Sequence, residues 1–331
     1  MNVSIVVPTF ARDTSLSRTV ASLAATEARG IDGLEIIVVD DGSPVPVAAV
    51  VELVHRTTPA VRMRVIRQAN SGPAAARNRG FREASGDLVI FVDDDIEAPP
   101  GLVSEHAAAH RLKPGSVVFG RCVLDDRVGD PLLHRLMDRL GGDAGGGSTA
   151  EFEASRIVAS GQLSVPRHLF VARGGVYCDE LRTPAAEEYE LSLRLMRLQV
   201  PAWRANRITA IHRTELSLER VSRGQYSHGW GCAEAAVKAP ETLDLPELRG
   251  IIDAADARIH LPKRAAGSKA GRHLLGRIAR AVTRASPRSP GALVLYRWVI
   301  GAHFTAGVRD GLRHYRLSAP GGRASRNLEP E

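Results

Sequence analysis

This 331-residue sequence predicts an α/β fold: a mostly parallel sheet with helices on both faces, followed by a basic helical extension. Three observations carry that prediction. Short, continuous runs of β-branched and apolar residues recur through the first part of the chain, and helix-like stretches separate them. The charge divides into a mildly acidic body and a basic tail. Strands that are apolar throughout, with helices between them, are buried on both faces, as in a parallel sheet.

The strand runs are Val3–Val7, Glu35–Val39, Met63–Ile66 and Leu88–Val92, with Val117–Phe119 a fainter fifth. The helices between them span Ser15–Ala28, capped by Asp13 or Thr14, then Pro46–Arg56 and Pro73–Ala84. Ligands of such sheets bind beyond the carboxyl ends of the strands. The residues there are Pro8-Thr9-Phe10-Ala11-Arg12, Asp40-Asp41-Gly42-Ser43, Gln68-Ala69-Asn70-Ser71-Gly72 and Asp93-Asp94-Asp95, with Arg77-Asn78 close behind the third group. Any one group reads as a turn or a helix cap. Four on one edge read as a site.

Composition excludes several classes. With 44% hydrophobic and 24% charged residues, the chain is neither disordered nor collagen-like. Cys122, Cys178 and Cys232 form no disulfide framework or zinc pattern, so a reducing, cytoplasmic setting is expected. Met1-Asn2 runs straight into the first strand without a signal-peptide pattern, and no stretch approaches the roughly 20 apolar residues of a membrane span. Residues 263–331 hold 14 Lys/Arg against three acids, a net +11 that leaves −4 for the rest. Anionic lipid, nucleic acid or plain solvent could each face that tail. With aromatics at 5% and no groove-reading or base-stacking motif, nucleic acid is not expected as a partner.

Asp93 and Asp95 stand two apart at a strand end, where continued alternation would place them on one side to share a hard cation such as Mg²⁺ or Mn²⁺. Such a cation relieves their repulsion and steadies charge developing on a phosphate leaving group. Arg77 offers a positive fork for the same diphosphate, and Asp41 accepts from a base or ribose. No Gly-x-x-x-x-Gly-Lys-Ser/Thr loop occurs, which disfavours an ATPase and favours a nucleotide-activated donor.

Val3-Ser4-Ile5-Val6-Val7-Pro8-Thr9-Phe10, Ile37-Val38-Val39-Asp40-Asp41-Gly42-Ser43, Gly72-Pro73-Ala74-Ala75-Ala76-Arg77-Asn78-Arg79-Gly80 and Gly86-Asp87 through Asp95 resemble, in order and spacing, the family 2 glycosyltransferases of the GT-A fold. The resemblance implies a nucleotide-sugar donor, Mn²⁺ or Mg²⁺, and an inverting transfer. It implies donor contacts from Pro8, Thr9, Phe10, Arg12, Asp40, Asp41, Arg77, Asp93 and Asp94. It implies metal ligation by Asp93 and Asp95, with Asp95 the more direct ligand. His212, closing the run Ile208–Ile211, resembles a histidine that some members use as an extra ligand. Ala11 departs from the family, which often has Asn there. Residues 184–195, Pro-Ala-Ala-Glu-Glu-Tyr-Glu-Leu-Ser-Leu-Arg-Leu, are similar to the family's Gly-Glu-Asp-x-Glu-Leu-x-x-Arg-Leu element. That match puts Glu188 at the catalytic base, behind Glu187, where the family usually has Asp; acids favouring a helix N-terminus are the plainer alternative.

The acceptor side is less regular. Arg139–Ser148 carries five glycines and reads either as a loop closing over the substrates or as a slack linker. Gly174-Gly175-Val176-Tyr177-Cys178-Asp179-Glu180 resembles the family's Gly-Gly-Phe-Asp-Glu element with an insertion and no Phe. Beyond residue 240 the resemblance thins. Leu274, Leu275, Ile278 and Val282 make one helical stripe with Arg277, Arg280 and Arg284 mostly off it, and residues 292–311 form a second apolar helix. The stripe lies either on an anionic membrane, peripherally at its inner face, or against the catalytic domain. The expected organisation is a glycosyltransferase domain over 1–240, with its donor half at 1–125 and acceptor half at 126–240, and an extension over 241–331. The expected function is an inverting, metal-dependent transfer of sugar to an acceptor hydroxyl, lipid-linked or in an envelope glycan or other glycoconjugate. A silent nucleotide-sugar-binding scaffold and a sugar nucleotidyltransferase are the alternatives.

Overall fold

The computed structural model describes residues 1–125, 129–140, 150–214, 216–256, 269–285 and 290–318. Contacts divide the chain into two compact units. The first comprises Met1–Asp125, Gly147–Arg182 and Glu190–Thr214; the second comprises Asp126–Gly146, Thr183–Tyr189 and Glu215–Glu331.

The first unit opens with β1 (Asn2–Thr9), α1 (Asp13–Ala24), β2 (Gly33–Asp40), α2 (Ala48–Thr57), β3 (Arg62–Arg67), α3 (Pro73–Glu83) and β4 (Leu88–Val92). It continues through β5 (Ile96–Glu97), α4 (Leu102–Leu112), β6 (Val117–Leu124), β7 (Phe152–Ala154), β8 (Gln162–Pro166) and β9 (Ala202–His212). All nine strands join one sheet in the order β3-β2-β1-β4-β8-β6-β9-β5, with β7 on β9. The pairs β3–β2, β2–β1, β1–β4 and β6–β9 are parallel, whereas β8 runs antiparallel to both β4 and β6. The faint fifth strand is real and longer than Val117–Phe119, but β8 separates it from β4.

Alternation along the strands explains why whole runs are apolar. Ile5, Val7, Ile36, Val38, Ile90 and Val92 face one core with Leu16, Val20 and Leu23 of α1. Val6, Ile37, Val39, Val89 and Phe91 face the other with Ala74, Ala76 and Phe81 of α3. A Cβ on Gly80 of α3 would lie 2.2 Å from Val6 Cγ1, so that helix can press closely onto the sheet only with glycine there. Helix α1 stops at Ala24 rather than Ala28. Its cap position is Arg12, not Asp13 or Thr14, and Asp13 instead supplies the acid of the first turn.

A polar network lies inside the first core. His106 Nδ1 and His110 Nε2, one turn apart on α4, each meet Ser164 Oγ at 2.8 Å. Burial pushes their pKa values down to about 3 and about 4, so both are neutral. Below the ordinary histidine range near 6.5 the unfolded chain takes up protons that the folded chain refuses, so stability falls as pH drops from there. Each histidine adds a slope of about 1.4 kcal/mol per pH unit. Urea unfolding at pH 7.5 and pH 5 is expected to show this loss, more steeply in wild type than in His110→Asn; equal slopes would contradict it.

The described part of the second unit is helical: α5 (Pro131–Leu140), the start of α6 (Ala186–Arg197), α7 (Leu218–Lys238), α8 (Pro246–Asp256), α9 (Lys269–Ala285) and α10 (Pro290–Ser318). Helices α7 and α10 pack closely. A Cβ on Gly307 would sit 2.0 Å from the Tyr226 carbonyl oxygen, and Trp230 Nε1 donates to Tyr315 Oη at 3.0 Å. Tyr296, Val299, Ile300, Val308 and Leu312 of α10 are buried. Of the expected α9 stripe, Leu274 and Ile278 are exposed and Val282 is half-buried, while Gly276 and Ala279 on the same helix are buried. No helix among the described residues is long and apolar enough to cross a membrane.

Candidate active site

The parallel strands β1, β2 and β4 end on one edge, with Thr9 level with Asp40 in the β1–β2 register. The chain does not continue as a strand past Val92. Ile96 N donates to Asp93 O at 3.2 Å, closing a turn that fans the three acids apart instead of placing Asp93 and Asp95 on one strand face. Asp93 reaches Arg77, Asp94 reaches Thr9 and Arg12, and Asp95 reaches Arg12 and His212.

The contacts are short. Arg77 Nη2 donates to Asp93 Oδ1 at 2.7 Å, and its guanidinium lies 5.4 Å from the centre of the Tyr177 ring. Thr9 Oγ1 donates to Asp94 Oδ2 at 2.7 Å. Arg12 Nη1 spans Asp94 Oδ1 at 3.1 Å and Asp95 Oδ2 at 2.7 Å. His212, closing β9, brings Nε2 to 3.1 Å from Asp95 Oδ1. Burial raises the Asp94 pKa to about 6, helped by its neighbours Asp95 and Asp93 and opposed by Arg12 and the Thr9 hydroxyl. Burial works against protonated His212, but the Asp95 hydrogen bond and the charges of Asp95 and Asp93 outweigh it and raise its pKa.

A second group forms around β2. Asp40 is wholly buried, and its carboxylate takes Ser43 N at 2.8 Å and Arg67 Nη1 at 3.0 Å, so it builds the turn. Asp41 accepts from Gln68 Nε2, Ser71 N and Gly72 N at 2.8–2.9 Å, which ties the loop before α3 to the end of β2. Pro8 is buried within β1 beside Val39. Phe10 keeps 47% of its surface exposed at the edge. Ala11 has a φ of 55°, a left-handed conformation that asparagine tolerates better than alanine, and its N–H donates to Ser43 Oγ at 2.9 Å.

Sequence reasoning named Asn78 and Tyr177 within motifs but missed what they do. Asn78 Oδ1 accepts from the N–H groups of Val176 and Tyr177 at 2.8 and 2.9 Å, and Nδ2 donates to the Tyr177 carbonyl at 2.7 Å. It thereby clamps the irregular Gly174–Glu180 segment to α3. The signal was the Gly174-Gly175 pair, since a Cβ on Gly175 would come within 2.5 Å of the Asn78 side chain.

Glu187 and Glu188 stand in the first turn of α6, Glu187 buried and Glu188 half-buried, and both belong to the second unit. The segment before them is held within that unit: Thr183 N donates to Glu234 Oε2 at 2.8 Å, and only glycine fits at Gly231, where a Cβ would lie 2.2 Å from the Pro184 carbonyl oxygen. The glycine-rich stretch 141–148 lies outside the described residues, as do 257–268 and 319–331 of the basic tail.

The described residues contain no cluster of three or more His, Cys, Asp or Glu gathered as metal ligands. The donor chemistry nevertheless fits a divalent cation. Asp95 and His212 already meet as an oxygen–nitrogen pair, and Asp93 lies close enough for its charge to act on His212. Such O/N donors suit Mn²⁺ or Mg²⁺.

Residues 4–149 match the sequence model described as Glycosyl transferase family 2. Validoxylamine A glucosyltransferase of Streptomyces hygroscopicus subsp. limoneus is 35% identical over 141 residues, 41% of this chain and 30% of that protein. The GalNAc(5)-diNAcBac-PP-undecaprenol beta-1,3-glucosyltransferase of Campylobacter jejuni is 31% identical over 37% of this chain and 38% of its own length. The chain thus spans about a third of the curated relatives it matches. A mannosyltransferase from Pyrobaculum calidifontis, solved with GDP-Man and Mn²⁺, superposes with a TM-score of 0.56 at 16% identity, covering 92% of this chain and 86% of that one. That likeness shows the GT-A fold.

Proposed function

We propose, on the premise that residues 4–149 belong to the family 2 glycosyltransferases, that this chain moves a sugar from a nucleotide diphosphate to an acceptor hydroxyl with inversion. The observation that carries the reading is the convergence of Thr9, Arg12, Arg77, Asp93, Asp94, Asp95 and His212 on one sheet edge. Asp93, Asp95 and His212 would hold Mn²⁺ or Mg²⁺, which offsets charge developing on the leaving diphosphate. Arg77, buried and stacked on Tyr177, offers that diphosphate a fork whose position is already set. The exposed Phe10 ring offers a face to the base, and Asp41 orders the loop beside it. Glu188 would take the acceptor proton, a role resting on its place in the motif and in the first turn of α6.

The undecaprenol-linked acceptor in the Campylobacter relative's name supports a lipid-linked or envelope acceptor here. So does the basic C-terminal region. Exposed Leu274 and Ile278 of α9, and exposed Val294 and Trp298 of α10, each lie one turn apart beside exposed Arg277 and Arg297. This suits peripheral attachment to an anionic inner membrane face. The protein is expected to co-sediment with anionic but not neutral vesicles at low salt, and to lose that with Leu274→Glu and Trp298→Glu together. Equal partition of wild type between both vesicle types would contradict it. A silent nucleotide-sugar binder is the second reading, favoured by the altered Gly174–Glu180 segment. The deciding experiment is binding and hydrolysis of a panel of nucleotide sugars with Mn²⁺ and with chelator. Metal-dependent turnover of one donor is expected; binding without turnover, with acceptors supplied, would favour the silent binder.

A further inference from the structure

We infer that Arg12 is a tethered cation that occupies Asp94 and Asp95 until metal and diphosphate arrive together, and so makes the binding of each depend on the other. The inference rests on the glycosyltransferase reading and goes beyond it, because it assigns to one side chain the coupling between cofactor and donor.

The two arginines of the site are built differently. Arg77 is a fixed group: its side chain is 6% exposed, paired with Asp93 and stacked on Tyr177. Arg12 has an anchored backbone and a free-standing side chain. It occupies the cap position of α1, its carbonyl accepts from Leu16 N, and the preceding Ala11 is pinned to Ser43. Its side chain is 46% exposed, and its contacts with the acids come from the single atom Nη1. Rotation about its side-chain bonds can carry the guanidinium off the acids without moving the helix.

The carboxylates are divided correspondingly. Asp94 gives one oxygen to Thr9 and the other to Arg12; Asp95 gives one to His212 and the other to Arg12. The fold holds one oxygen of each acid, and Arg12 covers the other. A divalent ion approaching alone meets a positive charge already seated on Asp95. A diphosphate approaching alone finds Arg12 committed to Asp94 and Asp95. Arriving together, the ion takes the Asp95 carboxylate and the diphosphate takes the guanidinium, while Asp94 keeps its Thr9 hydrogen bond. An exchange of this kind produces positive coupling, and linkage requires the coupling to be equal in both directions.

Titration calorimetry tests this with Mn²⁺ alone, with UDP or GDP alone, and with both, on wild type, Arg12→Gln and Arg12→Lys. Removing the competing charge in Arg12→Gln is expected to tighten binding of Mn²⁺ alone about two- to fivefold, as for one screened ion pair. The same variant should bind the nucleoside diphosphate alone more weakly, and the mutual enhancement should fall towards none. Arg12→Lys keeps the charge and should stay near wild type for Mn²⁺ alone, which separates charge from packing. Mn²⁺ affinity in Arg12→Gln equal to or weaker than wild type, with an unchanged melting temperature, would overturn the inference. Failure of wild type to take either nucleotide even with Mn²⁺ would instead count against the glycosyltransferase reading, and the Mn²⁺ comparison would still decide the role of Arg12.

Discussion

Asp95→Ala is expected to abolish metal-dependent donor binding and to lower donor turnover by on the order of 10²–10³-fold. Asp95 is buried and joins both halves of the acidic cluster, with one oxygen on His212 and the other on Arg12. Removing its carboxylate strips His212 of its partner and leaves Arg12 with Asp94 alone. The substitution also takes away the most direct of the proposed metal ligands. Asp95→Asn is the sharper control, because it keeps the shape and a hydrogen-bonding oxygen while losing the charge. Both variants should remain folded, since the β4 core of Val89, Ile90 and Phe91 lies before the turn. The measurement is nucleotide-sugar binding and hydrolysis with Mn²⁺ and with chelator, beside circular dichroism. Wild-type turnover in Asp95→Ala would remove the metal from the proposed mechanism.

Glu188→Gln should act on the other limb of the reaction. Replacing a general base by its amide removes proton acceptance without changing length, and such groups contribute about 10²–10⁴-fold. Transfer to acceptor should fall by about that factor while donor affinity stays as in wild type, because the residues proposed to grip the donor are all in the first unit. The variant is conservative for the fold. Glu188 is half-buried in the first turn of α6, where Gln is tolerated, and the preceding segment is held by Thr183 and Gly231 rather than by this side chain. Undiminished transfer would exclude Glu188 as the base and turn attention to its buried neighbour Glu187. A Glu188→Asp variant adds a graded readout, since Asp is the residue usually found at this position in the resembled element. Its activity relative to wild type reports whether the longer side chain is matched to this acceptor.

The strands, their parallel start and the polar edge beyond them were legible in the sequence because each depends on local pattern. Continuous apolar runs such as Ile36–Val39 can only be buried on both faces, and the helices between them leave parallel pairing as the simple solution. The donor motifs could be placed on that edge for the same reason: each lies within a few residues of its strand. What the tertiary structure alone decided involves partners far apart in the chain. β8 enters between β4 and β6, antiparallel to both, a position that no local run encodes. Asp94 and Asp95 find Arg12 across 82 and 83 residues, and Asn78 finds Tyr177 across 99. The turn after Val92 separates acids that strand alternation would have aligned. A residue's type shows what it can bond to, but which oxygen of Asp95 faces His212 and which faces Arg12 follows from β1 lying beside β4 and from β5 pairing with the end of β9 at His212.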